Sequence, residues 1–436
     1  SYRPLPSERY CRYMNNSATD RIPFNRASVD LHDAETFSAG IPHDAFAQMR
    51  AAKGLSWTDA APGDQSGFWS VTRHEELVTV SRDTSTFSSA VGHIQIYDID
   101  EDALDARASM IDLDPPIHTR LRRLVSSAFT PRHVQQYEVA IRQRVRTCVD
   151  AFESAGGGDW VEMVAAPIPI GVICDLMGVP ERDHQLMVEL SDHLVAGTGN
   201  EPLDPGAYGN TTELRLLPFN SPAAFGMSEY ALRLGDERRA NPADDLITKL
   251  IQADVDGEQL SDEEFANFFR LMIFAGNETT RSSMAHLALH LVEFADQFDR
   301  ARQDPLLLPS LTDEVIRYSS PILYFRRTVT ADTVLGGTEL HKGDKIVMWY
   351  AAANFDEAQF PDAQAFLADR PQVPAHVAFG GGGAHFCLGA SLARLEVAVL
   401  IEELVKRNMS LEIGDPLFVP SNFVNGIERL PVTVIT

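Results

Sequence analysis

The strongest helical pattern of apolar and polar positions runs from Ser261 to Phe294. Ser261 and Glu264 have the spacing of a capping box, which marks the start of a helix. About 30 residues at about 1.5 Å each span about 45 Å, and apolar side chains fall on nearly every face. The pattern therefore predicts one long helix that crosses the core of the protein. The apolar positions in its first half are Phe265, Phe268, Phe269, Met272, Ile273 and Ala275.

Shorter elements are predicted on both sides of this helix. Strand patterns cover residues 68–72, a hairpin over 340–350 with its turn at 342–344, and residues 422–434. The three glycines at 156–158 indicate a linker. Helical spacing of apolar residues covers 43–53, 74–81, 134–153, 167–177, 180–195 and 388–408.

Two segments have no regular periodicity. Residues 87–108 form either a binding loop, with Ile96 and Tyr97 as contacts for an apolar ligand, or a surface loop fixed by its own apolar residues. Residues 197–228 are rich in proline and small residues but carry Leu216, Phe219 and Phe225. That composition predicts a flexible lid over an apolar substrate, with plain disorder as the alternative.

Composition excludes several classes of protein. The chain has 436 residues, and its net charge of -25 argues against nucleic-acid binding, which needs clustered cations. Its four cysteines (Cys11, Cys148, Cys174 and Cys387) are far apart, so neither a zinc site nor a disulfide framework is expected. We find no signal peptide and no apolar run long enough to cross a membrane, so we expect a cytoplasmic protein without a membrane span.

Four consecutive glycines precede one cysteine in the stretch from Phe379 to Gly389. Glycine permits positive φ and close backbone approach, and Cys387 falls at the start of the helix predicted over 388–408. A helix N-terminus favours the thiolate form of a cysteine. Such a sulfur can attack a substrate or ligate a metal, and a flat glycine run suits a broad planar cofactor. The alternative is a buried, inert thiol.

Polar residues interrupt the long apolar helix at its middle, at Gly276, Glu278, Thr279 and Thr280. Polar groups in a core are costly unless they are satisfied, and glycine weakens a helix by about 1 kcal/mol. These residues are explained if a ligand lies against the helix: Gly276 admits it, Thr279 hydrogen-bonds to it and Glu278 supplies protons. The alternative is a kinked core helix satisfied by water.

Two further pairs have helical spacing. His118 and Arg122 lie four residues apart after Asp114-Pro115-Pro116, which places two cations on one helical face, ready for an anion or simply solvated. Glu314 and Arg317 lie three residues apart, a spacing typical of an ion pair.

Together these motifs resemble those of the cytochrome P450 superfamily. The haem loop of that family has the pattern Phe-x-x-Gly-x-x-x-Cys-x-Gly with a basic residue two before the cysteine, as His385 is here. This chain has one extra residue, since Phe379 stands eight positions before Cys387 instead of seven. The segment Ala275-Gly276-Asn277-Glu278-Thr279 is similar to the family's oxygen-activation motif, and His118-x-x-x-Arg122 to its propionate-binding motif. The resemblance covers about residues 70–436.

The resemblance implies one domain over 1–436, mainly α with a small β region, shaped as a triangular prism with the long central helix over the haem. Residues 1–66 would be an irregular extension with the first helix. The cofactor would be haem b with the Cys387 thiolate as axial ligand of the iron, and Glu278 and Thr279 would be catalytic. An ion network of Glu314, Arg317 and Arg370 would be structural. The cofactor-binding residues would be His118, Arg122, Ala275, Gly276, Arg327, Phe379, Gly380, His385, Cys387 and Gly389.

The implied function is insertion of one oxygen atom of O2 into a C–H bond of a small hydrophobic substrate, such as a terpenoid, steroid or lipid, or an aromatic compound. By resemblance, Leu271, Phe274, Ala275, Leu323 and Val424 would face the substrate. The chain has no dinucleotide-binding fingerprint, so electrons would come from a separate ferredoxin and ferredoxin reductase. We expect a monomer. The basic residues that would meet an acidic ferredoxin are Arg120, Arg123, Arg132, Arg142, Arg144 and Arg146.

Two alternatives belong to other classes. A non-catalytic haem-thiolate sensor or carrier would need no proton relay, so Glu278 and Thr279 count against it. A hydrolase with Cys387 as nucleophile would need a histidine and a third, orienting residue, and the sequence does not supply the third.

Overall fold

The computed structural model describes residues 25–98, 109–196, 222–254 and 257–435. Most of the predicted lid, residues 99–108 of the loop predicted over 87–108, and the N-terminal extension to residue 24, including Cys11, lie outside the described residues. The described end of the lid segment differs from the prediction, because residues 222–228 begin a helix and do not form a loose connection.

Helices form most of the structure, and the long one has the predicted bounds. Ser261 is its N-cap, and the reciprocal capping box with Glu264 is present. The helices are α1 (His43–Ala51), α2 (His74–Arg82), α3 (Ile117–Val125), α4 (Pro131–Val134), α5 (Glu138–Ser154), α6 (Pro167–Met177), α7 (His184–Ala196), α8 (Pro222–Ala240), α9 (Leu246–Gln252), α10 (Asp262–Glu293), α11 (Ala295–Gln303), α12 (Leu308–Ser319), α13 (Tyr350–Ala353) and α14 (Ala390–Arg407).

Helix α10 lies at the centre because its apolar residues are buried on several faces. It packs against α6, α8, α12 and α14, and its backbone also receives a side-chain hydrogen bond, from Trp160 Nε1 to the Met284 carbonyl oxygen at 2.9 Å. A helix that is apolar nearly all round must be surrounded in this way. Among the described residues, no helix is long and apolar enough to cross a membrane.

The strands form small sheets beside the helical part. The largest sheet has the order β1-β2-β8-β5-β3, in which β2 and β8 are parallel. A second sheet has the order β4-β12-β9, and β6 with β7 and β10 with β11 form pairs. The strands are β1 (Ser56–Thr58), β2 (Phe68–Val71), β3 (Phe87–Ser88), β4 (Gly157–Asp159), β5 (Tyr324–Val329), β6 (Thr333–Leu335), β7 (Thr338–Leu340), β8 (Lys345–Trp349), β9 (Ser410–Ile413), β10 (Leu417–Phe418), β11 (Ile427–Arg429) and β12 (Pro431–Ile435).

Two predictions about strands are wrong. The hairpin expected over 340–350 does not form, because every residue of β8 is buried and both of its edges are occupied, by β2 and β5. The strand before the turn, β7, pairs with β6 instead. The glycines expected to form a linker at 156–158 contain β4, which pairs with β12. Gly157 has a φ of 118°, and a Cβ there would collide with the Val432 carbonyl oxygen.

A buried ion network fixes the chain between α12 and the cysteine loop. The Glu314 carboxylate accepts from Arg317 Nε at 2.7 Å and from Arg370 Nε at 2.8 Å, and these three side chains are at most 5% exposed. The other nitrogens of the two arginines donate to the carbonyl oxygens of Asn354, Pro361, Asp362, Ala363 and Ala365. The network therefore crosslinks the backbone of residues 354–370 to α12.

Candidate functional site

A large cavity lies between α10 and the loop that precedes α14. Its atom-free volume, counted together with the solvent at its mouth, is about 1500 Å³. Ala275, Gly276 and Thr279 line it from α10. The loop contributes Phe379, Gly380, His385, Cys387 and Gly389 to the lining, and α3 contributes His118 and Arg122. Thus three motifs that are far apart in sequence meet at one cavity.

Cys387 stands where the loop turns into α14. Its backbone N–H donates to the Phe379 carbonyl oxygen at 2.9 Å, which closes the loop. Cys387 lines the cavity with the exposed surface of its side chain, while protein atoms surround the sulfur on its other sides. Burial raises the pKa of the Cys387 thiol, and the backbone N–H groups of Gly389 and Ala390 lower it, together with Arg122 and Arg394. The predicted effect of the helix N-terminus is present, but burial outweighs it.

The glycines between Phe379 and Gly389 have different surroundings. Gly380 and Gly389 face open space: a Cβ on Gly389 would meet nothing within 4 Å, and one on Gly380 only atoms 3.9 Å away. Gly381 and Gly383 pack instead against α2, where a Cβ would lie 2.9 Å from Ser81 Cβ and 2.7 Å from the Ser81 carbonyl oxygen, respectively. The start of the run, at Gly380, therefore leaves space for a planar cofactor, whereas its later part faces protein.

Basic side chains gather at one edge of the cavity. The rings of His118 and His385 are 4.2 Å apart between centroids. Arg122 Nη2 donates to the Phe386 carbonyl oxygen at 2.6 Å, and Arg327, only 1% exposed, lies outside the lining.

The electrostatics of this edge favour an anion. Burial lowers the pKa of His118 to about 4, assisted by Arg122, and that of His385 to about 2, assisted by Arg327, His118 and Arg122. Among the described residues, His118 Nδ1 and Arg327 Nε are buried without a hydrogen-bond partner. Two arginines beside two neutral imidazoles leave an excess of positive potential, which an anionic ligand group would balance.

The polar residues at the middle of α10 have distinct environments. Thr279 lines the cavity, and its hydroxyl donates to the Ala275 carbonyl oxygen at 2.8 Å. Glu278 is 5% exposed, pairs with Arg281 Nη1 at 3.1 Å and is not part of the lining. A Cβ on Gly276 would lie 3.1 Å from Ile173 of α6, so helix packing accounts for this glycine as well as the cavity does.

The residues expected to contact substrate are only partly in the cavity wall. Leu271, Phe274 and Ala275 line the cavity, whereas Ile96, Tyr97, Leu323 and Val424 do not. Ile322 and Phe423, the direct neighbours of Leu323 and Val424, line the wall instead.

Other wall residues were not predicted from the sequence. Met272 and Phe325 line the cavity, and Glu396 of α14 reaches it as a buried acid. Arg394 lies over the Phe379 ring at 4.4 Å from its centroid and pairs with Asp313 at 2.6 Å.

Comparison with known proteins supports the resemblance over nearly the whole chain. The sequence model of the family Cytochrome P450 matches residues 228–417. A steroid C26-monooxygenase of Mycolicibacterium smegmatis is 35% identical over 425 residues, which cover 95% of this chain and 95% of that protein. A methyl-branched lipid omega-hydroxylase of Mycobacterium tuberculosis is 37% identical over 430 residues, which cover 96% of this chain and 97% of that protein.

Solved structures confirm the predicted fold class, mainly α with a small β region. A cytochrome P450 of Mycobacterium marinum in complex with pseudoionone matches with a TM-score of 0.83 at 36% identity, covering 95% of this chain and 99% of that one. CYP109E1 of Bacillus megaterium in complex with testosterone matches with a TM-score of 0.76 at 30% identity, covering 91% and 100%. The chain therefore belongs to the cytochrome P450 family, whose members are haem-thiolate monooxygenases.

Proposed function

We propose that this enzyme hydroxylates a terpenoid, steroid or branched lipid at a haem whose iron is bound by Cys387. The observation that carries the proposal is the meeting of three motifs at one cavity: Cys387 on the loop, Thr279 on α10, and the basic edge formed by His118 and Arg122. Neither a sensor or carrier nor a cysteine hydrolase accounts for all three.

The residues present fit haem b. Gly380 and Gly389 leave open space where side chains would stand, Cys387 offers a sulfur to that space, and the basic edge has unpartnered buried nitrogens for two propionates. Arg122 and His118 would hold one propionate, and His385 and Arg327 the other. When bound, the haem supplies activation of O2 and transfer of one oxygen atom to a C–H bond.

Thr279 and Glu278 would manage protons on the α10 side. The Thr279 hydroxyl donates to the Ala275 carbonyl oxygen, so its oxygen lone pairs remain available to accept a hydrogen bond from a group in the cavity. Glu278 lies outside the wall on Arg281. To deliver a proton, the Glu278 carboxyl group must turn away from Arg281 and reach the Thr279 hydroxyl through water.

The substrate class follows from the chemistry of the wall. On the α10 side, the described wall residues are apolar, such as Leu271 and Phe274, except for those with a hydroxyl group, such as Thr279. The charged wall residues lie at the basic edge and on α14, so a substrate on the α10 side meets neither an ion nor an amide. The named relatives act on steroids and methyl-branched lipids, and the solved neighbours hold pseudoionone and testosterone. An aromatic substrate is the less favoured choice.

Electrons would come from a separate ferredoxin and its reductase. The basic region is smaller than the sequence predicts, because carboxylates pair with four of its arginines. Arg120 pairs with Glu264, Arg142 with Glu402, Arg144 with Asp175 and Arg146 with Glu403. An acidic partner would therefore depend mainly on charges outside those pairs, such as Arg132, which is exposed.

We also propose that the chain functions as one domain. The main hydrophobic core cluster includes residues from Leu31 to Val432, and its members come from both ends of the described chain. Two smaller clusters join it through the partly buried residues Ile322, Phe325 and Tyr318. Such a continuous core is typical of one folding unit.

A titration of the purified holoenzyme with candidate substrates tests the proposed class. A substrate that fills the cavity should displace water and change the spin state of the ferric haem, which is visible in the absorption spectrum. We expect saturable shifts with a steroid, a terpenoid or a branched fatty acid, and the hydroxylated product on addition of a ferredoxin system. A shift and product with small aromatic compounds alone would contradict the proposed class.

A further inference from the structure

The later glycines of the cysteine loop are held by α2 and not by the cavity. Gly381 would place a Cβ 2.9 Å from both Ser81 Cβ and Val78 Cα, and Gly383 would place one 3.0 Å from Arg82 Cα. Gly382 and Gly383 have φ values of 90° and 78°, which side chains disfavour. This part of the loop therefore requires glycine for two reasons: its backbone has positive φ values, and α2 leaves no room for side chains.

Two side chains of the last turn of α2 bind the same backbone. The Ser81 hydroxyl, in a residue that is 3% exposed, donates to the Gly382 carbonyl oxygen at 2.9 Å. Arg82 Nε donates to the Gly381 carbonyl oxygen at 3.2 Å. The two hydrogen bonds fall on consecutive peptide groups at the tip of the loop, in the run where the chain has one residue more than the family pattern.

The tip is connected to the sulfur ligand by short hydrogen-bonded turns. Phe386 N–H donates to the Gly383 carbonyl oxygen at 3.3 Å, and Cys387 N–H donates to the Phe379 carbonyl oxygen at 2.9 Å. A run of four glycines has more conformational freedom to lose than any other sequence of that length. Anchoring its tip therefore limits the positions that the Cys387 backbone can reach.

We propose that Ser81 and Arg82 are positioning residues for Cys387: the last turn of α2 clamps the glycine turn that carries the extra residue and thereby fixes the cysteine at the site where it would bind the haem iron. Neither side chain lines the cavity, so both act through the loop. The proposal rests on the proposed function in that Cys387 is the iron ligand, but the clamp itself is a contact between protein segments.

Ser81→Ala tests the clamp, with Thr79→Ala as its matched control. Thr79 lies on the same helix, but its hydroxyl donates to the Glu75 carbonyl oxygen within the helix. In the holoenzyme, amide hydrogen exchange of the peptide covering residues 380–389 should become about threefold to tenfold faster in Ser81→Ala, the factor for losing one net hydrogen bond. Exchange in Thr79→Ala should equal that of the wild type.

The second readout is the spectrum of the reduced carbon monoxide complex. Ser81→Ala should lose the strongly red-shifted Soret band of thiolate ligation faster with time than Thr79→Ala does, and Arg82→Gln should act in the same direction. Unchanged exchange and unchanged decay in Ser81→Ala would overturn the clamp, as would equal changes in Thr79→Ala. A wild-type enzyme without the red-shifted band would instead overturn the proposed function, whatever the exchange rates are.

Discussion

Replacing Glu314 with glutamine should destabilise the protein strongly. The Glu314 carboxylate is completely buried and accepts hydrogen bonds from Arg317, from Arg370 and from the Leu367 N–H, the last at 2.9 Å. Glutamine keeps the size of the side chain but removes its charge and presents an N–H2 group to two guanidinium groups. Two buried arginines then have no balancing charge within this network.

The expected loss can be estimated from similar sites. Removing one partner of a buried ion pair typically costs about 3–5 kcal/mol, and this carboxylate serves two arginines, so we expect the upper part of that range. Whole domains are stable by only about 5–15 kcal/mol. The Glu314→Gln variant should therefore unfold at a much lower urea concentration, and its haem should be released in the same transition, because the network holds the chain that leads to the cysteine loop.

Asp299→Asn provides the matched control. Asp299 pairs with Arg302 at the same spacing of three residues, but its side chain is 54% exposed, and surface pairs contribute only about 0–1 kcal/mol. Urea unfolding, followed by circular dichroism and by haem absorption, gives the free energy of unfolding of each variant. A loss below about 1 kcal/mol in Glu314→Gln, or an equal loss in both variants, would refute the reasoning from burial.

Three other changes test the cavity and the core. Thr279→Ala should lower hydroxylation by a factor of about 10², while the reductant is still oxidised and its electrons reduce O2 to hydrogen peroxide. Thr279→Ser should restore coupling, and full coupling in the alanine variant would exclude the proton role. Phe274→Ala should weaken substrate binding by about 10- to 100-fold, since a buried aromatic side chain contributes about 1.5–3 kcal/mol, and spin-shift titration measures the dissociation constant. Burial lowers the pKa of His286 to about 4 from 6.5, so the unfolded chain binds a proton that the folded chain does not. The stability present above pH 6.5 is therefore lost as the pH falls towards 4, by up to about 3 kcal/mol, and His286→Gln should flatten this dependence in urea unfolding at a series of pH values.

The sequence predicts elements whose periodicity is strong and local. Helix α10 and its capping box follow from the pattern between Ser261 and Phe294, because an apolar surface on all sides and a local cap leave few alternatives. Strand pairing is different: β8 prefers β2 and β5 to its neighbour β7, and such long-range choices depend on which edges are free. The pattern around Lys342 therefore indicates a turn but not the partners of the strands beside it.

The same distinction applies to the site. Cys387, Thr279 and His118 belong to short motifs, and the structure brings them to one cavity. Substrate contacts depend on one-residue differences in register, and so Ile322 and Phe423 line the wall where Leu323 and Val424 were expected. The sequence also cannot show that Gly381 and Gly383 face α2, because glycine has the same signature whether a cofactor or a helix approaches it.

The most direct test of the account is the absorption spectrum of the reduced protein under carbon monoxide, for the wild type and for Cys387→Ser. We expect the wild type to show the strongly red-shifted Soret band of thiolate-bound haem and Cys387→Ser to lack it. Cys174→Ser serves as the control, since Cys174 is buried on α6 and does not line the cavity, and it should keep the band. A wild-type protein without the band, or a Cys387→Ser variant that retains it, would contradict the assignment of Cys387 as the iron ligand.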